Sequence, residues 1–115
     1  MHIGFGFKSS DNKLTMVTSP SGVEKWIFAD SAVTINTWYH VAAVFGSSGM
    51  IMYINGVQQT DTDADTGGMT NTSPSFVIGS LRVGTWPFNG KIDDVRVYNR
   101  VLSADEIRLL YNLGR

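Results

Sequence analysis

Residues 88–111, FNGKIDDVRVYNRVLSADEIRLLY, join a glycine turn, an alternating stretch and a capped helix in one unbroken piece. Few folds end in that way, so this segment constrains the chain more than any other. Over 92–98 the side chains alternate: Asp93, Val95 and Val97 share one face of a strand, and Ile92, Asp94, Arg96 and Tyr98 share the other. An acidic residue therefore stands on the valine face. If that face is buried, the Asp93 carboxylate needs a cation or backbone N–H donors, because an unpaired buried charge is costly or changes its protonation. A bulge near Gly90 would change which face it occupies. Residues 103–106, SADE, then fit a capping box, with Ser103 accepting from the amide of Glu106 and the Glu106 side chain reaching back to Ser103. The pattern predicts a helix of about two turns. Ile107, Leu110 and Tyr111 form its packing stripe, Arg108 and Asn112 face water, and Gly114 is its stop.

Upstream, short alternating or apolar segments are separated by turn residues at the spacing of an all-β sandwich. The expected strands cover 3–8, 13–18, 24–29, 38–45, 50–55, 57–60, 76–80 and 91–98. Asp11-Asn12, Pro20-Ser21-Gly22, Ser47-Ser48-Gly49 and Asn55-Gly56 punctuate them. Asn55-Gly56 is the clearest two-residue hairpin turn, since both residues tolerate positive φ. The stretch 38–45, WYHVAAVF, is apolar on both parities and predicts a central strand covered on both sides. Residues 61–74 read as a polar surface loop. With 115 residues, 43% of them hydrophobic, the chain reads as a single domain over 1–115. A formal net charge of -1 without a clustered Lys/Arg run argues against a grip on nucleic acid, and no apolar run is long enough for membrane insertion. Residues 1–10 lack the pattern of a signal peptide. The absence of cysteine excludes disulfides and thiolate metal sites.

Four motifs in order, TWYHVAAVF, MYINGVQ, FVIGS and FNGKIDDVRVYNRVLSADEI, resemble the laminin G-like members of the concanavalin A-like lectin and glucanase superfamily over roughly 13–111. The resemblance implies a jelly-roll β-sandwich of two antiparallel sheets with a short C-terminal helix. It also implies a non-catalytic role in binding carbohydrate or protein, in an extracellular or surface-associated setting. Such domains normally begin with a strand carrying a phenylalanine-aspartate-glycine motif and a second, aromatic-rich strand, and neither precedes Ile3. The resemblance thus implies lacking N-terminal strands, whose place is taken by a second copy, by rearranged local strands or by a segment of a larger parent protein. A homo-oligomer is one expected outcome. The family's calcium ligands lie partly in that absent region.

Candidate chemistry follows from residue types. Retaining glucanases need two carboxyl groups about 5 Å apart, supplied by alternate residues of one strand. Asp93 and Asp94 are adjacent and face opposite sides, and Asp105 and Glu106 belong to the helix start, so no catalytic residue is assigned. His40 and His2 accompany no recognisable nucleophile motif; His40 reads as a hydrogen-bonded structural histidine. Asp61, Asp63 and Asp65 alternate in DTDADTGG like the start of a Ca²⁺ loop, although glycine is displaced to Gly67 and Thr72 stands where a bidentate glutamate belongs. With Asp93 they are the candidate metal ligands, against the plainer readings of a solvated loop and of a carboxylate holding backbone amides, Arg82 or Arg96. A sugar ring would need an aromatic platform beside polar groups. Trp86 in GTWPFNG is the first choice, placed in a loop by Gly84, Pro87 and Gly90, with Asn89 and Arg82 as polar neighbours. Tyr39 and Trp26 are further aromatic choices, while Trp38 and Phe88 are assigned to packing. Asn71-Thr72-Ser73 fits a glycosylation acceptor. These features describe a non-enzymatic, lectin-like or adhesion module whose partner is a glycan or glycoprotein. The rivals are a structural module that assembles through protein contacts and a degenerate glucanase.

Overall fold

The structure, a computed structural model, describes residues 3–7, 10–19, 23–67, 76–82 and 85–114. Two antiparallel three-stranded sheets face each other. The first has the order β1-β2-β3, from Ile3–Phe7, Lys13–Thr18 and Lys25–Ala32. The second has the order β4-β5-β6, from Val41–Gly46, Gly49–Ile54 and Val57–Asp63. A small hairpin of β7 (Ser80–Arg82) and β8 (Thr85–Pro87) and the helix α1 (Ala104–Leu113) complete the chain.

Register explains the two cores. Val41 pairs with Ile54, Ala43 with Met52 and Phe45 with Met50, so these six side chains share the inner face of the second sheet. They meet Leu14, Met16, Ile27 and Ala29 of the first sheet, and Met16, Met50 and Met52 are fully buried. On the opposite face Ala42 pairs with Tyr53 and Val44 with Ile51, and there α1 and the segment before it lay down Leu102, Ile107 and Leu110. The double-parity apolar pattern of β4 is thereby accounted for: its sheet has a layer on each side. Its expected central position is not found, because among the described residues β4 is the edge of its sheet. Trp38 and Tyr39 lie outside the strand, and Trp38, expected in the core, is 64% exposed. Phe88 is also partly exposed and stacks on Phe7 with ring centroids 6.3 Å apart.

Turn chemistry fixes the hairpins. Asn55 and Gly56 take φ of 51° and 77° between β5 and β6, as a two-residue type I′ turn requires. At Asp11-Asn12 the Asp11 carboxylate accepts from Lys13 N at 3.1 Å and Asn12 turns left-handed. The expected turn at Pro20-Ser21-Gly22 lies outside the described residues.

Two expected strands are absent. Phe76 to Gly79 is irregular, and strand geometry begins only at Ser80. Residues 91–98 are neither strand nor helix and are exposed throughout. Asp94 takes φ 53°, its N–H donates to Asp93 Oδ1 at 2.7 Å, and its carboxylate receives Arg96 Nε and Nη2, both at 3.1 Å. A strand needs a neighbour for its amides and carbonyls, and alternation supplies none. Local side-chain bonds hold this segment instead. Asp93 is therefore an exposed carboxylate on a neighbouring amide, not a buried charge.

Candidate functional site: a cleft at the seam between the sheets

Strands β3 and β6 run side by side where the two sheets meet, and side chains take the part of a ladder. Phe28 N donates to Asp61 Oδ2, Asp30 N to Gln59 Oε1, and Thr60 N to Asp30 Oδ1, each at 2.9 Å. Thr60 Oγ1 adds a 2.6 Å bond to the same Asp30 oxygen. Both strands are irregular here: the β2–β3 register shifts between the Lys13–Ala32 and Thr15–Phe28 pairs, and the β5–β6 register between the Ile51–Thr62 and Tyr53–Gln58 pairs. Extra residues bend a strand and re-aim its side chains. The bulged stretches carry Asp30 on one strand and Gln59 on the other, so each side chain reaches the backbone of the facing strand.

Beside this seam lies an open cleft of about 270 Å³ lined by Asp30, Ser31, Ala32, Val33, Tyr39, Ile54 and Gln59. Tyr39 comes from the loop between β3 and β4, where its phenol oxygen accepts from Thr34 N at 2.9 Å. That bond favours the phenolate and holds the Tyr39 pKa below its ordinary value. Asp30 is likewise held below the usual carboxylate range, first by the Thr60 hydroxyl and then by the Thr60 amide. Oδ1 makes those bonds, and Oδ2 has no hydrogen-bond partner among the described residues. Gln59 is buried, accepting from Asp30 N and donating to Val57 O at 3.0 Å. The cleft lining thus includes an aromatic residue, Tyr39, with the polar residues Asp30, Ser31 and Gln59.

The sequence-predicted ligand residues fall in two places. Tyr39 lines the cleft. Arg82 and Trp86 sit on the β7–β8 hairpin, where Arg82 pairs with Thr85, and Asn89 follows β8 on the exposed side of the chain. Trp86 is thus in a short strand rather than the expected loop, and Pro87 at the end of that strand pairs with Ser80. The side chains of Arg82 and Trp86 lie outside the described part of the structure. Trp26, on β3, donates its indole N–H to Glu24 Oε2 at 3.1 Å. Asp30 and Gln59 were not anticipated as site residues. Asp30 interrupts a strand-like run and Gln59 lies within a polar one, and neither pattern says that the two runs meet.

Each of the candidate calcium carboxylates has one oxygen on a backbone amide. Asp61 holds Phe28 N, Asp63 Oδ1 holds Asp65 N at 2.8 Å, and Asp65 Oδ1 holds Gly67 N at 2.7 Å. Asp93 is engaged separately with Asp94 N. Among the described residues no three His, Asp or Glu side chains converge on one point, and the part of the loop from 68 to 75 lies outside the described residues. His40 is bonded through its backbone rather than its ring: its N–H donates to Asn55 Oδ1 at 2.9 Å and its carbonyl accepts from Asn55 N at 2.8 Å. Its ring lies 6.0 Å from that of Tyr111, and the buried Nδ1 has no partner among the described residues. Burial, then the Arg96 cation, depresses its pKa. Among the described residues no helix is long and apolar enough to cross a membrane. The Asn71-Thr72-Ser73 triplet lies outside the described residues.

Two facing antiparallel sheets with a short C-terminal helix form a β-sandwich of the jelly-roll class. The chain belongs to the concanavalin A-like lectin/glucanases superfamily, whose laminin G-like family matches residues 2–108. It is also similar to the crystal structure of an S-layer domain-containing protein (residues 221–444) from Clostridium thermocellum, at 30% identity and a TM-score of 0.58. That match covers 89% of this chain and 52% of the other, so the chain spans about half the length of the solved relative. Among curated proteins no significant match is found.

Proposed function

We propose that this domain is a non-catalytic carbohydrate-binding module of a surface-associated protein, and that a sugar unit occupies the cleft beside Tyr39. The single observation that carries this reading is the cleft itself, whose lining brings together Tyr39 and Asp30, with Asp30 Oδ2 free of hydrogen-bond partners among the described residues. A pyranose offers C–H bonds to the ring and paired hydroxyls to the carboxylate. A cleft of about 270 Å³ suits one small unit of a glycan rather than a long chain. Asp30 is the one acidic side chain lining it, whereas glycoside hydrolysis by the two-carboxylate route needs a pair. The surface setting is supported by the S-layer context of the solved relative. Fold alone assigns no activity, so the reading stands on the cleft.

Glycan-array screening followed by calorimetric titration tests it. Tyr39→Ala and Asp30→Asn should each weaken binding about tenfold or more, with circular dichroism unchanged. Loss of binding in Trp86→Ala with retention in Tyr39→Ala would move the site to the β7–β8 hairpin. Silence across all glycans would favour an adhesion or assembly role, and turnover of laminarin or lichenan would restore the glucanase reading.

A further inference from the structure

We propose that the cleft beside Tyr39 takes an amino sugar, a glycan unit whose free amine is held as an ammonium ion by Asp30. This rests on the glycan reading of the cleft and names the class of sugar that its lining selects.

The lining carries one acidic side chain and no basic one. Asp30 stands there with Ser31, Tyr39 and Gln59, and Ala32, Val33 and Ile54 make the rest of the wall apolar. Its Oδ1 is committed to β6, where Thr60 N and Thr60 Oγ1 donate to it at 2.9 and 2.6 Å, so Oδ2 is the oxygen left for a ligand. Those bonds hold the carboxyl ionised at neutral pH. Among the described residues Asp30 makes no ion pair. The cation that acts on it is Lys13, opposite Ala32 in the β2–β3 ladder, and its pull is the weakest of the influences on that carboxyl.

Three sugar substituents could meet Oδ2. A hydroxyl donates one neutral hydrogen bond, an N-acetyl group donates one amide N–H and adds bulk, and an ammonium donates as a cation. A bond between two ionised groups is roughly twice as strong as a neutral one. The tyrosine adds to the preference, because the face of an aromatic ring attracts a cation and offers a hydroxyl nothing comparable. A uronic acid would set like charge against Asp30. Farther along the seam the exposed Asp61, whose Oδ2 accepts from Phe28 N, has the same sign as Asp30. Neighbouring units of an amine-bearing chain therefore meet attraction there as well.

Calorimetric titration of the full chain with β-1,4-linked oligosaccharides of glucosamine, glucose and N-acetylglucosamine tests the assignment, at low salt and about pH 6, where the amine is protonated. The glucosamine oligomer should bind about tenfold more tightly than the other two, and the advantage should shrink as ionic strength rises. Asp30→Asn keeps an oxygen for the Thr60 donors and should erase the advantage, leaving the three oligomers alike. Lys13→Gln removes the nearby cation and should leave the glucosamine oligomer bound at least as tightly. Neutral oligomers that bind as well as the glucosamine oligomer would overturn the inference and leave the glycan reading standing. An advantage that survives Asp30→Asn would place the amine elsewhere, and binding lost in Lys13→Gln would point to an anionic ligand; either result overturns it. Silence of the glucosamine oligomer while other glycans bind removes this inference alone, whereas silence across every glycan removes it together with the glycan reading.

Discussion

Glu106 holds the start of α1 in three directions at once. Its carboxylate receives both terminal nitrogens of Arg100 and the amide of Ser103 at 2.8 Å, while its own amide donates to Ser103 Oγ at 3.2 Å. The Arg100 fork first, and the Ser103 amide second, lower its pKa from 4.5 to about 2. The folded value lies below the unfolded one, so the stability it contributes is complete above about 4.5 and disappears as pH falls to about 2. The melting temperature of Glu106→Gln should therefore fall below that of the parent at neutral pH and converge on it by pH 2, read by calorimetry across that range. His40 works in the opposite pH range. Its depressed pKa means that the unfolded chain takes up the proton first, so folding weakens as pH drops through the ordinary histidine range.

At the scale of elements, α1 is an outer layer on the second sheet, anchored by the fully buried Ile107. Ile107→Ala should cost about 3 kcal/mol in urea unfolding, because the side chain fills a closed contact with Val44, Tyr53 and Leu102. The exposed Leu109→Ala should change stability little. The β5–β6 turn lies directly beneath this helix: a Cβ on Gly56 would meet the Tyr111 ring at 3.2 Å and the Arg108 backbone at 3.4 Å. Most of these elements could be read in the sequence. The Lys13–Thr18 strand, the Asn55-Gly56 turn and the Ser103 capping box depend on neighbours in the chain, and local pattern reports them faithfully. The helix has ten residues rather than about two turns, and it ends at Leu113 before Gly114, the expected stop, whose N–H bonds Leu110 O at 3.1 Å. Residues 91–98 show the limit: alternation states which side chains would share a face, and a strand exists only where another backbone accepts its hydrogen bonds. The cleft was legible only through Tyr39, since Asp30 and Gln59 act on amides that lie far along the chain.

For the whole molecule, the β3–β6 seam joins the two sheets through side chains, and its only buried member is Gln59. Gln59→Ala would leave Asp30 N without its acceptor and should cost about 2 kcal/mol. Hydrogen exchange should report it first at the Asp30 amide, and a single shared unfolding transition would show that both sheets depend on the seam. The layer that α1 lays over the second sheet has a further consequence during synthesis. The strands it covers emerge from the ribosome long before Leu102 and Ile107 do, so Ala42, Val44, Ile51 and Tyr53 wait uncovered on a nascent chain. Vectorial production thus leaves the apolar back of that sheet to chaperones until the last turns of helix are made.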